Sequence, residues 1–138
     1  MRPFVQVNVA MSADGKLSTR ERRQVRISGS SDFSRVDKIK AESDAVMVGI
    51  GTVLADDPSL TIKSTALVAE RRAQGKDDNP VRIVVDSRAR IPLDAALLHK
   101  GTGDRIIACS LCADEEKIEA LSSYATVIIA GEDVVDLP

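Results

Sequence analysis

The sequence predicts an α/β domain built on a mostly parallel sheet flanked by helices. Three observations carry this reading. Short apolar runs rich in β-branched residues ("DAVMVG", "PVRIVVDS", "DRIIACS", "ATVIIAGE") recur along the chain. Segments with helical spacing separate them, and strands that alternate with helices are the pattern of a parallel sheet. The 138 residues, 43% apolar and 29% charged, are enough for one core and so for a single domain over residues 1–138.

The elements follow in order. "FVQVNVA" alternates Val5, Val7 and Val9 with Gln6, Asn8 and Ala10, the period of a strand. "SADGK" is a turn, with Asp14-Gly15 its strongest signal. From Lys16 to Arg26 the chain is polar and basic and reads as loop or irregular strand. Candidate N-caps at Ser30, Ser31 and Asp32 precede Phe33, Val36 and Ile39 at helical spacing, which predicts a helix of about three turns. "DAVMVG" is continuously apolar, the mark of a strand buried on both faces, and it ends in Gly49-Ile50-Gly51-Thr52. "SLTIK" can make a brief strand, and residues 64–79 form an excursion with a helical middle and a charged end. "PVRIVVDS" is a strand. "RIPLDAALL" is a connector, because Pro92 cannot donate to a ladder. "DRIIACS" is a strand, "ADEEKIEALSSY" a helix with Ile118 and Leu121 on one face, and "ATVIIAGE" a further strand.

Composition narrows the function. A net charge of −2 gives no electrostatic case for nucleic acid, and Phe4, Phe33 and Tyr124 are too few to stack bases. No apolar run approaches the roughly 18 residues of a membrane span. "MRPFVQVNVAM" lacks the small-residue cleavage pattern of a signal peptide. Two cysteines imply no disulfide framework, so a cytoplasmic location is expected.

Ligands of open α/β sheets bind beyond the carboxyl ends of the strands, here residues 49–56, 86–90 and 109–114. Gly49 to Thr52 could offer backbone N–H groups and a hydroxyl to a nucleotide phosphate, or could be a plain strand-to-helix turn. It is not the dinucleotide fingerprint, because Leu54 occupies the third glycine position. Asp56-Asp57-Pro58 suits a ribose contact or a solvated helix end. A metal would need more ligands than this stretch holds, and His99 is the only histidine, so no metal is expected. Cys109-Ser110-Leu111-Cys112 has redox spacing, but Cys109 continues a strand and reads as a small buried hydrophobe. Among the basic residues, Arg20, Arg22 and Arg23 read as solvated loop, with Arg26 in the same cluster. Lys16 follows a tight turn directly after the first strand and can point back over a sheet edge.

Taken together, "VNVAMSADGKLS", "RISG", "KAESDAVMVGIGTVLADDPSLTIK" and "NPVRIVVDSRARIPLDAALL" resemble the reductase domain of riboflavin biosynthesis. The resemblance is strongest to the stand-alone reductases of 2,5-diamino-6-ribosylamino-pyrimidinone 5′-phosphate. It extends to the reductase half of the bifunctional deaminase–reductases. It implies a dihydrofolate-reductase-like fold, NADPH as cofactor, a homodimer, and hydride transfer to C1′ of a ring-opened ribosylamino group. By matched motif it implies that Gly49, Gly51, Thr52 and Asp56 wall the NADPH site and that Ser87 contacts the cofactor. Arg88 and Arg90 join them as candidates for the 2′-phosphate, on charge and position. Leu60 matches a substrate contact. Lys63 and Lys40 stand where arginine is frequent, keeping the charge without the bidentate fork. Asn8, Asp14 and Lys16 fall where the family borders the pyrimidine and ribose, and Asp14 and Lys16 are the catalytic candidates. The family continues beyond the position of Pro138 into a glycine-rich V-E-G-G-type turn and closing strands. The expectation is therefore a C-terminally truncated, incomplete domain. Two other readings stay open: a dihydrofolate or pterin reductase, and a non-catalytic nucleotide-binding or assembly domain.

Overall fold

The four β-branched runs in the body of the chain all become strands, because each has neighbours to supply its ladder hydrogen bonds. In the computed structural model, which describes residues 2–21, 27 and 29–137, these are β1 (Ala45–Gly49), β2 (Val81–Val85), β3 (Arg105–Cys109) and β4 (Thr126–Ile129). All three pairings are parallel and the order is β1-β2-β3-β4, so every connection is a crossover. Helix α1 (Ser30–Glu42) precedes β1, and α2 (Ile50–Asp56), α3 (Thr65–Ala73), α4 (Ala96–His99) and α5 (Glu115–Leu121) lie within the crossovers. Among the described residues no helix is long and apolar enough to cross a membrane.

The core lies on one face of the sheet. Register puts Val84, Ile107 and Cys109 on that face, where Ile50 and Val53 of α2, Leu97 and Leu98 of α4, and Leu121 of α5 cover them. Fully burying such a side chain contributes about 1.5–3 kcal/mol, so this cluster dominates the fold's stabilisation. Cys109 sits in it as the expected hydrophobe, and burial, with Asp86 nearby, pushes its thiol pKa up. The other face is open, with Met47 and Ile128 about half exposed.

Several expectations are corrected. Residues 2–11 form no strand, and Val5, Val7 and Val9 are exposed. Alternation specifies two faces but not a partner, and no described strand edge meets this run. β1 is not buried on both faces: it is an edge strand with alternating exposure. Residues 57–64 are irregular, not a brief strand, because Asp57 and Leu60 adopt left-handed backbone (φ 43° and 56°). The connector after Pro92 contains α4. Helix α1 starts from Gly29 without a side-chain cap. It buries Asp37 and Ala41, while Phe33 of the predicted stripe is 52% exposed. Arg22, Arg23 and Arg26 lie outside the described residues.

Candidate functional site

The predicted site residues fall into three groups, and the fold sets two of them at opposite ends of the sheet. The first lies at the carboxyl edge. Parallel register aligns Gly49 with Val85, and Val85 with Ala108, so the segments starting at Gly49, Asp86 and Ser110 leave the sheet side by side. β1 passes directly into α2, and Gly49 serves as its N-cap with no side chain closing the turn. A Cβ placed on Gly49 or Gly51 would meet nothing within 4 Å. Neither glycine has positive φ, so packing within the chain does not require them. What they leave is uncovered backbone that another molecule can approach. Thr52 and Asp56 are exposed along the same short helix.

Ser87 continues β2 and is tied into the structure. Its carbonyl accepts from the Ser110 N–H and hydroxyl (3.0 and 2.8 Å), and its hydroxyl accepts from Val135 N–H (2.9 Å). Residues 131–135 thus fold back across the edge, with further bonds from Leu111 N–H to Gly131 and from Cys112 N–H to Glu132. Arg88 and Arg90 project beside them, both exposed. The Cys112 thiol donates to Asp133 (3.4 Å). That bond, with burial second, raises its pKa and disfavours a reactive thiolate, though the Arg88 charge opposes the rise.

The second group is built where α1 meets the loop 57–64, near the amino ends of β2 and β3. Asn79, just ahead of β2, accepts from Ile62 N–H (2.9 Å) and pins the loop there. Lys40 Nζ donates to the Thr61 carbonyl (2.6 Å) and pairs with Asp37 (2.9 Å). Lys63 Nζ donates to two hydroxyls, Ser59 Oγ and Thr61 Oγ1, both at 2.8 Å. No described carboxylate lies within ion-pair distance of it. The ammonium and two rotatable hydroxyls form a small cationic cluster that can receive an anion. Leu60, half-buried, arches through the middle of this loop. Lys40, Leu60 and Lys63 are therefore brought together.

The third group is the N-terminal turn. Ser12 organises it: its N–H donates to the Lys16 carbonyl and its hydroxyl to Asp14, while Gly15 takes φ 77°. Asp14 and Lys16 are exposed, and no hydrogen bond joins them to the other two groups among the described residues. Asn8 is linked to α1 through Arg35, whose Nη2 donates to Asn8 Oδ1 (2.8 Å) and to Asp32 (2.7 Å).

Two residues missed in the sequence organise the amino end. Asp37 is 6% exposed and accepts from the N–H groups of Lys63 and Ser64 (2.9 and 2.7 Å). Burial alone would raise its pKa, but the Lys40 contact and these two N–H bonds outweigh it and hold the carboxyl below its ordinary value. Arg82 is fully buried on β2 and donates to the carbonyls of Ser59, Leu97, Lys100, Thr102 and Gly103. Asp37 has one sequence signal, its i,i+3 spacing from Lys40. Arg82 has another, a charge inside "VRIVV" on the face that carries Val84.

Comparison with known proteins gives a consistent result. A family model described as RibD C-terminal domain matches residues 3–138. The 2,5-diamino-6-ribosylamino-4(3H)-pyrimidinone 5′-phosphate reductase of Archaeoglobus fulgidus is 52% identical over 99% of this chain and 62% of its own length. That of Methanothermobacter thermautotrophicus is 43% identical over 99% and 59%. The chain thus spans about three-fifths of the length of these two curated relatives. Among solved structures, RibD of Acinetobacter baumannii superposes with a TM-score of 0.62 at 25% identity, over 89% of this chain and 38% of that one. A pyrimidine reductase-like protein of Corynebacterium diphtheriae gives 0.67 over 89% and 53%, and at 13% identity it shows the fold alone. The fold is the dihydrofolate-reductase-like α/β one of these proteins.

Proposed function

The chain belongs to the RibD C-terminal domain family, and from that premise we propose that it is the reductase domain of a riboflavin-forming pathway. Its reaction is the NADPH-dependent reduction of the ribosylamino group of a pyrimidine 5′-phosphate to ribitylamino. The relatives named as diamino-ribosylamino-pyrimidinone phosphate reductases favour the diamino compound as substrate.

One observation carries the reading: Lys63 Nζ rests on two hydroxyls with no described carboxylate in reach. A dihydrofolate has no phosphate for such an anchor, whereas a ribosylaminopyrimidine phosphate does. The cofactor fits the other edge. The bare backbone at Gly49 and Gly51 admits close approach, and Thr52 and Asp56 offer polar partners along α2. Ser87 keeps its own hydroxyl proton to donate, and Arg88 and Arg90 supply exposed positive charge for a 2′-phosphate. When bound, a reduced nicotinamide supplies the hydride. The protein's share is orientation: Lys63 fixes the phosphate end, and Leu60 with Asn8 borders the sugar and pyrimidine. Asp14 and Lys16 are the candidates to hold a proton near the reacting nitrogen. The working location is the cytoplasm and the working form a homodimer.

The test is NADPH oxidation with the phosphorylated ribosylaminopyrimidine, its dephosphorylated form, and dihydrofolate. Turnover should require the phosphorylated compound. Faster turnover of dihydrofolate, or indifference to the phosphate, would overturn the reading.

A further inference from the structure

We infer that Asp37 is the positioning residue of the substrate-phosphate site, holding the loop that carries Lys63 both directly and through Lys40. The inference rests on the reading of Lys63 as the phosphate anchor. Asp37 is buried in the middle of α1, yet every contact its carboxylate makes points at one loop or at the lysine that also holds that loop. One oxygen accepts from Lys63 N–H and Lys40 Nζ, each at 2.9 Å. The other accepts from Lys63 N–H (2.9 Å) and Ser64 N–H (2.7 Å). Lys40 Nζ then spans to the Thr61 carbonyl (2.6 Å). A single carboxylate thereby ties the main chain at 63 and 64 directly and at 61 through Lys40.

The loop needs such ties. Leu60 and Asp57 hold left-handed backbone that side-chain-bearing residues disfavour, and no regular element spans 57–64. Ser59 and Thr61, whose hydroxyls flank Lys63 Nζ, lie on either side of Leu60. Releasing Asp37 would let Lys63 and its two hydroxyls separate. Lys40, with a side chain 17% exposed and a carboxylate at 2.9 Å, is held in place by the same group.

The test is a double-mutant cycle on Asp37→Asn and Lys63→Met, with ribose 5-phosphate as the calorimetric probe and hydrogen exchange of the Lys63 and Ser64 amides as the structural readout. Asp37→Asn should weaken ribose 5-phosphate about tenfold in the wild-type background and less than about twofold in the Lys63→Met background, because it acts through Lys63. The two amides should lose protection while those of β2 keep theirs. Should Asp37→Asn not fold, Asp37→Glu takes its place. It keeps the charge but displaces the carboxylate from the 63 and 64 amides, and about a threefold weakening that vanishes in the Lys63→Met background is expected. Equal losses in both backgrounds, or none, would overturn the role of Asp37. Unchanged binding in Lys63→Met alone would instead remove the anchor reading and this inference with it, so the two failures are distinguishable.

Discussion

Replacing Arg82 with methionine tests how the amino end of the sheet is held. Two opposing contributions set the outcome. Burial, with Arg105 nearby as a second cause, pulls the guanidinium down to about 10, which corresponds to a cost of roughly 3 kcal/mol that the substitution would remove. Against this, the variant loses donors to five carbonyls, of which Lys100 and Thr102 are close (2.6 and 2.9 Å) and three lie at 3.3–3.4 Å. Hydrogen bonds from a charged donor contribute about 1.5–3 kcal/mol each, so the two short ones alone match or exceed the burial cost. Some of the loss is taken up by neighbours. Arg105 also reaches Leu97, Lys100 and Gly103, and Asn79 also reaches Thr102. The net expectation is a destabilisation of about 1–2 kcal/mol, which for a chain of this size lowers Tm by roughly 4–8 °C. Because the two arginines share acceptors, Arg82→Met with Arg105→Met should cost more than the sum of the single changes. Thermal unfolding followed by circular dichroism measures all three. A single variant more stable than wild type would show that burial of the charge outweighs the carbonyl cradle and refute the reasoning.

Thr52→Val and Asp56→Ala should each weaken NADPH by about 1–3 kcal/mol, with the larger effect from the charged partner; titration of the folded variants checks this, and unchanged affinity in both removes them from the cofactor site. Arg88→Ala with Arg90→Ala should narrow the preference for NADPH over NADH in kcat/KM while sparing NADH, and equal loss with both cofactors would make the arginines structural. Asp37 carries a pH signature. Its folded pKa is depressed, so its contribution is complete above the ordinary carboxylate value of about 4 and is lost as pH falls through the folded value. Urea unfolding of wild type and Asp37→Asn should therefore converge in stability on acidification, and a gap that stays constant into strong acid contradicts the ion pair. Finally, the outer edge of β1, unpaired among the described residues, and the exposed Phe4, Val5, Val7 and Val9 favour association between chains, so light scattering should report a dimer or larger species, and a monomer at high concentration counts against it.

Much of this molecule is legible in its sequence, and the exceptions share a cause. β2, β3, β4 and α5 follow directly from period and composition because their own apolar pattern marks them as regular, half-buried elements whatever their partners are. The N-terminal run carries an equally clean alternation and forms no ladder, since pairing depends on an edge that local pattern cannot specify. The 57–64 loop looks extended by composition. Its path is instead set by Asp37, Asn79 and Arg82, residues 17–27 positions away from the main-chain groups they hold there. Of the candidate site, Lys40, Leu60 and Lys63 could be named from the motif, and their convergence is a tertiary fact. Asp37 was hidden because a carboxylate on a helix ordinarily reads as a solvent contact, and only burial distinguishes it.

The glycines divide into two kinds that selection would treat differently. At Gly131, φ is 92° and an added Cβ would collide with the Val134 carbonyl oxygen, so a side chain there prevents residues 131–135 from doubling back over Ser87. Variants at that position should disappear from any library screened merely for folded protein. At Gly49 and Gly51 a methyl group would touch nothing in the chain. Alanine at either place should survive a screen for folding and, on the proposed function, be purged only when cells must make their own flavin. A position tolerated by the fold but refused by metabolism has its constraint outside the polypeptide, in whatever lies against that bare backbone.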